Sequence, residues 1–436
     1  MNQPVLSSHF ASRAPSAIRT AQIEFMKRDD GVQAINTAIG NVSLPMHPAM
    51  QKRMRNLGGP ESPFANGVVK YSATVGTEEA CQAVLNIIGS SGYPTSGLLA
   101  QITDGGSAAM ELLILGVCGP AGTSERPLLL IDAAYTNYNA LADRTGRATV
   151  SVQRKLGSDG KFSLPDPAEI EETIKTHNPG GLVVIPYDNP TGHYYDHEAM
   201  LSLARLAVKH NLWIASDEAY RELYYLEGEA SSIWAVSESE VPGITGRRIS
   251  IETASKVWNA CGLRIGALVT DNEEFHTKSV AEFTANLCSN VIGQYIFGAL
   301  AHEDHRDLKL WYDEQRGYYK ELLTTVSRGL RDSVPGVIVS SPDASIYSVV
   351  DVRNAAKPGF DALDFVLYCA RKGSVDLEGE AYTLLVSPMA GFYGVKAGAP
   401  NPGRTQMRIS YVETPEKMRL VPRLFRTLFE EYESNR

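Results

Sequence analysis

Ser250-Ile251-Glu252-Thr253-Ala254-Ser255-Lys256-Val257-Trp258-Asn259-Ala260-Cys261-Gly262-Leu263-Arg264-Ile265-Gly266 places one lysine among small and hydroxyl-bearing residues. Arg264 follows eight residues later, between two glycines. A lysine that acts as a nucleophile must shed its proton, which takes desolvation or a nearby positive charge. Hydroxyls and a guanidinium next to it suit a phosphate. An amine beside a phosphate site suits an aldehyde cofactor that carries a phosphate. Alone, such a Lys/Arg pair is more often simply solvated, so the weight of the stretch depends on the residues around it.

Upstream, short apolar runs alternate with amphipathic ones. Leu128–Asp132, Ala148–Gln153, Leu182–Tyr187, Leu212–Ser216, Arg247–Glu252 and Ile265–Thr270 read as strands, and Asp166–Thr176 and Asp196–His210 as helices. This alternation predicts an α/β fold, a mostly parallel or mixed sheet with helices on both faces. Ligands of such sheets sit outside the carboxyl ends of the strands. Asp188-Asn189-Pro190-Thr191-Gly192, Asp217-Glu218-Ala219-Tyr220 and Thr253–Lys256 follow three consecutive strands, so Asn, Asp/Tyr and Lys share one rim. Tyr135 follows the strand Leu128–Asp132, where an aromatic can stack on a flat ring or simply pack a loop. Gly105-Gly106-Ser107 opens a helix that runs to about Val117. Glycines there admit close backbone approach, and the helix start offers free N–H groups to a phosphate; a plain turn is the alternative.

The flanks read differently. Ala38–Pro48 is an irregular Gly/Pro segment, and Tyr71 lies on a loop before a helix over Glu78–Ile88. Leu308–Arg331 reads as one long helix. Shorter elements follow: strands at Gly336–Val339, Ile346–Val352, Thr383–Ser387 and Met407–Val412, and helices at Asp361–Lys372 and Pro415–Tyr432. The expected division is a large domain over 46–312, and a small α+β domain built from 313–436 with the N-terminal arm 1–45.

Composition excludes some classes. A net charge of −9 argues against nucleic acid as the main partner. Five scattered cysteines without a CxxC pair argue against a disulfide framework or a zinc site, and no metal is expected. No run of about 18 apolar residues occurs, and the first 20 residues hold no apolar signal core. A cytoplasmic, non-membrane protein is expected.

Taken together, Asn189-Pro190-Thr191-Gly192, Asp217-Glu218-Ala219-Tyr220, and Thr253–Lys256 with Gly262–Gly266 resemble the class I/II aminotransferases of the fold type I superfamily. The resemblance runs from Ala38-Ile39-Gly40 to Arg408. It implies a large domain with a seven-stranded, mostly parallel sheet, and pyridoxal 5′-phosphate as cofactor. By that resemblance Lys256 carries the cofactor, Asp217 pairs with its ring nitrogen, and Asn189 and Tyr220 hydrogen-bond its phenolic oxygen. Tyr135 stacks on the ring, and Gly106, Ser107, Thr253 and Arg264 clamp the phosphate. Tyr71 reaches the phosphate of a second subunit, implying a homodimer. Arg408 grips the substrate α-carboxylate, and Gly40 belongs to a segment that closes over it. The implied reaction moves an amino group from an L-α-amino acid to a 2-oxo acid. Two alternatives stand beside it: the same cofactor diverted to β/γ-elimination, C–C bond formation or oxidation, and a non-catalytic regulator that binds the cofactor. The sequence departs from the pattern at Thr253, where serine is common, and at Asp188, which adds a negative charge near the site. The Gly/Pro-rich stretch Ser387–Arg404 is expected to shape the substrate pocket.

Overall fold

Leu128-Leu129-Leu130-Ile131-Asp132 is buried along its whole length, as a strand covered on both faces must be. It lies inside a seven-stranded sheet in a computed structural model that describes residues 4–377, 379–395 and 398–436. Across the sheet the strands run Leu99–Thr103, Gly266–Thr270, Arg248–Thr253, Trp213–Asp217, Gly181–Val184, Leu128–Asp132 and Thr149–Gln153. Gly266–Thr270 is antiparallel to both neighbours and the remaining pairs are parallel. The parallel strands therefore deliver Asp132, Asp217 and Thr253 to one rim.

The elements differ from the sequence reading where punctuation or tertiary pairing intervenes. The strand expected over Leu182–Tyr187 ends at Val184. Pro186 offers no N–H to a ladder and restricts Ile185 before it. Beyond the break, Tyr187 pairs only as an isolated bridge to Tyr194. The run Thr383–Ser387 serves two sheets. Glu380–Leu385 pairs in parallel with Gln33–Asn36, and Ser387–Pro388 then crosses to pair with Gln406–Ser410. The long helix spans His305–Ser333, capped by the Asp304 carboxylate on the Asp307 N–H. Its buried stripe, including Leu308, Tyr312, Tyr319, Leu323 and Val326, recurs every three to four residues. It packs on Pro415–Ser434. Among the described residues no helix is long and apolar enough to cross a membrane.

His47 begins the helix Pro48–Arg55 and accepts the Ala49 N–H. It is buried edge-on between Trp258 and Trp311, at ring distances of 5.9 and 5.0 Å. Burial drives its pKa from 6.5 down to about 4, with a small opposing pull from Asp307. A histidine kept neutral by the fold contributes fully above pH 6.5, and its contribution is lost as pH falls towards 4. The shift corresponds to about 3 kcal/mol. Stability measured by denaturant unfolding should decline over that window. In His47→Asn, which keeps a capping acceptor, the slope should flatten.

Candidate active site

The helix Gly106–Val117 starts without a side-chain cap, and Gly105 before it sits at φ +79°. Its first N–H groups are therefore open to an anion. Arg264 lies against this turn: a Cβ on Gly105 would stand 2.9 Å from the guanidinium carbon. Gly266 supports the same turn from below, since a Cβ there would stand 2.5 Å from the Gly106 nitrogen. Thr253 Oγ1 bonds Ser255 Oγ at 2.8 Å, which sets two hydroxyls beside the turn. Helix start, hydroxyls and guanidinium line one cavity of about 150 Å³. Among the described residues Arg264 pairs with no carboxylate, so its charge suits an anion at this end of the cavity.

The cavity also gathers Tyr135, Asn189, Asp217, Tyr220 and Lys256. Asp217 ends its strand and accepts Tyr138 Oη at 2.6 Å and the Ala219 N–H at 3.1 Å. Burial raises its pKa, those hydrogen bonds oppose the rise, and Glu252 and Asp188 reinforce it. No cation pairs with Asp217 among the described residues, so this group suits a protonated ring nitrogen. Tyr135 leans edge-on against Tyr138 at 5.6 Å, and burial pushes its hydroxyl up to about 12. Tyr220 is buried and held well above the usual phenol range by burial first and by Tyr347 second. Lys256 Nζ donates to the Gly40 carbonyl.

Arg408 approaches the cavity's lining from a separate, four-stranded sheet. It is buried, in the strand Gln406–Ser410. Its Nη1 donates to Asn189 Oδ1 at 2.9 Å and its Nη2 to the Ala38 carbonyl at 2.7 Å. The Tyr347 and Phe392 rings flank it at 4.4 and 5.3 Å. Its Nε is buried without a partner.

Nine of the residues singled out in the sequence thus line one cavity, while Gly40 and Arg408 each contact a residue of its lining. Tyr71 is not brought there; it is 78% exposed at the surface. Asp188 departs from expectation. Its charge is matched by buried Arg154 at 3.0 Å, and Thr191 also donates to it. The site thus does not face an unbalanced carboxylate at this position. Of the stretch Ser387–Arg404, Lys396 and Ala397 lie outside the described residues. The part before them supplies Phe392 and anchors Gly394 N–H to Asp132 Oδ2 at 2.5 Å. The sequence reading missed Tyr138, Tyr347 and Phe392. Tyr138 could have been found, because it lies one helical turn from Tyr135.

A molecule with an aldehyde, a phosphate and a basic ring nitrogen meets the needs at both ends of the cavity and at Lys256 between them. Pyridoxal 5′-phosphate is such a molecule, and the sheet with its strand-end cluster is that of the fold type I enzymes that use it. The family model for "Aminotransferase class I and II" matches residues 47–419, and the chain belongs to that family. It is similar to the aspartate/prephenate aminotransferase of Thermus thermophilus, 25% identical over 67% of this chain and 71% of the relative. It is also similar to the aspartate aminotransferase of Thermotoga maritima, 25% identical over 78% of this chain and 81% of that one. Among solved structures it shares its fold with a mutant of the T. thermophilus aspartate aminotransferase (TM-score 0.78, 21% identity, 98% of this chain and 100% of the other). The N-succinyldiaminopimelate aminotransferase of Mycobacterium tuberculosis matches as well (TM-score 0.79, 19% identity, 97% and 100%). The protein is a pyridoxal-phosphate-dependent aminotransferase that moves an amino group from an L-α-amino acid to a 2-oxo acid.

Proposed function

We propose that the residues around this cavity divide the work as follows, and that the substrate enters carboxylate first against Arg408. The observation that carries this reading is Arg408 itself, a buried guanidinium with an unpartnered Nε and no carboxylate partner among the described residues. A guanidinium fork fixes a carboxylate in two places and so orients the Cα–H bond. The bound cofactor supplies an electron sink for the electrons left at the substrate Cα. Lys256 holds the cofactor, then takes and returns the Cα proton. Asp217 keeps the ring nitrogen protonated, and Tyr138 holds Asp217 in place. Asn189 and Tyr220 hydrogen-bond the phenolic oxygen, and Tyr135 covers the ring. Gly106, Ser107, Thr253 and Arg264 hold the phosphate. Gly40 and its neighbours form the wall over the substrate.

The proposal extends to assembly. Tyr71, Val68 and Val69 are each exposed on one segment, and Thr74 on the same segment bonds the carbonyl of exposed Leu287 at 2.8 Å. A second copy of the chain covering this segment would let Tyr71 reach the partner's phosphate site. We assign 46–312 to a large domain and 1–45 with 313–436 to a small one. The five cysteines are unpaired thiols, which supports a reducing cytoplasm. The relatives named for aspartate make aspartate with a 2-oxo acid the first pair to assay.

Arg408→Gln tests the carboxylate site. Losing one partner of a buried charge pair costs about 2–5 kcal/mol, so kcat/KM should fall by about 30- to 5,000-fold, mainly through KM. The cofactor's visible absorption should persist. An unchanged KM in steady-state kinetics would remove Arg408 from the substrate site.

A further inference from the structure

Tyr347 belongs to no motif, yet its hydroxyl lies at the centre of the site. It opens the strand Tyr347–Asp351, whose Val349 pairs with Arg408. Residues two apart on a strand share a face, so Tyr347 is the diagonal neighbour of Arg408. The side chain is buried, and the guanidinium carbon of Arg408 lies 4.4 Å from its ring centroid. Its hydroxyl is 2.9 Å from that of Tyr220, with the rings edge to face at 5.6 Å. Asn189 Nδ2 donates to the same Tyr220 oxygen at 3.2 Å, while Asn189 Oδ1 accepts from Arg408. A Cβ on Gly40 would collide with the Tyr347 hydroxyl and stand 3.1 Å from Lys256 Nζ, so Gly40 packs against both groups.

The hydrogen-bond count then decides direction. A phenol has one proton and two acceptor lone pairs. With the Tyr220 O–H directed as a hydrogen-bond donor to the cofactor's phenolic oxygen, its own oxygen would be able to accept from both Asn189 and Tyr347. A donor to a phenol oxygen polarises that phenol and strengthens the bond it donates onward. We infer that Tyr347 is a positioning residue that strengthens Tyr220 as a donor to the cofactor's phenolic oxygen, while its ring holds Arg408 for the substrate carboxylate. The inference rests on the role given to Tyr220 above.

The test uses the holoenzyme and reads the pH at which the visible absorption of the bound cofactor changes. A weaker donor at the phenolic oxygen makes the phenolate less favourable, so the transition moves to higher pH. Tyr347→Phe keeps the ring and removes the hydroxyl. It should raise the transition by about one pH unit and leave KM for the amino donor within about twofold. Tyr347→Leu should show the same rise together with a KM increase of about tenfold, because the ring beneath Arg408 is gone. Adding Tyr347→Phe to Tyr220→Phe should shift the transition little beyond Tyr220→Phe alone, since the effect passes through Tyr220. A Tyr347→Phe transition that coincides with the wild type, while that of Tyr220→Phe moves, would overturn this inference and leave the role of Tyr220 standing. If neither variant moves it, both fall. Fully additive shifts would also overturn the inference.

Discussion

Lys256→Ala should lower kcat/KM for transamination by about 10⁴-fold or more. The expected loss is large because one amine does two jobs, holding the cofactor and carrying the Cα proton. Residues that act as a unit in this way are costly to lose singly. The fold should survive. Lys256 Nζ donates to the Gly40 carbonyl, and a single intramolecular hydrogen bond is worth about 1 kcal/mol. The purified variant should therefore unfold near the wild-type denaturant midpoint yet lack the visible absorption of covalently held cofactor. Retention of both that absorption and turnover would remove Lys256 from the centre of the site.

Asp217→Asn should be nearly as damaging, for a different reason. Its side chain ends the strand Trp213–Asp217 and sits in the cavity with no cationic partner among the described residues. Burial already raises its pKa, so placing a carboxylate there is unfavourable until a cation arrives. A protonated ring nitrogen is that cation, and the attraction keeps the ring protonated in return. An amide has no charge to offer. The ring nitrogen then loses its proton more readily and the electron sink weakens, so kcat should fall by about 10²- to 10⁴-fold. Cofactor should also leave the variant more readily during gel filtration. Asp217→Glu keeps the charge but moves it by one methylene, and it should fall between wild type and Asp217→Asn. Equal kcat for Asp217→Asn and wild type would contradict the assignment.

The residues legible in the sequence were those that strand periodicity carries to a common rim. Asn189, Asp217 and Lys256 each follow a buried strand, so three local patterns sufficed to place them together. The capless helix start at Gly106 was legible for the same reason, because glycine and serine precede an apolar helical run. What escaped depends on pairing between distant segments. Tyr347 and Phe392 reach Arg408 only through a four-stranded sheet, where Tyr347–Asp351 and Ser387–Pro388 both pair with the strand of Arg408. Nothing local in either segment announces that register. Asp188 seemed to add charge to the site because its partner, Arg154, lies on the far side of a helix and a strand in sequence. The helix Thr136–Arg144 was not singled out; it buries only Tyr138, Leu141 and Ala142, too short a stripe to stand out.

The most direct test of the account is a half-reaction. Holoenzyme is mixed with a single amino acid, aspartate first and then aromatic and aliphatic donors, with no 2-oxo acid present. The account predicts one equivalent of the matching 2-oxo acid per active site, loss of the visible cofactor band, no ammonia, and recovery of the band when a 2-oxo acid is added. Continued release of ammonia or of an elimination product without any acceptor would contradict it.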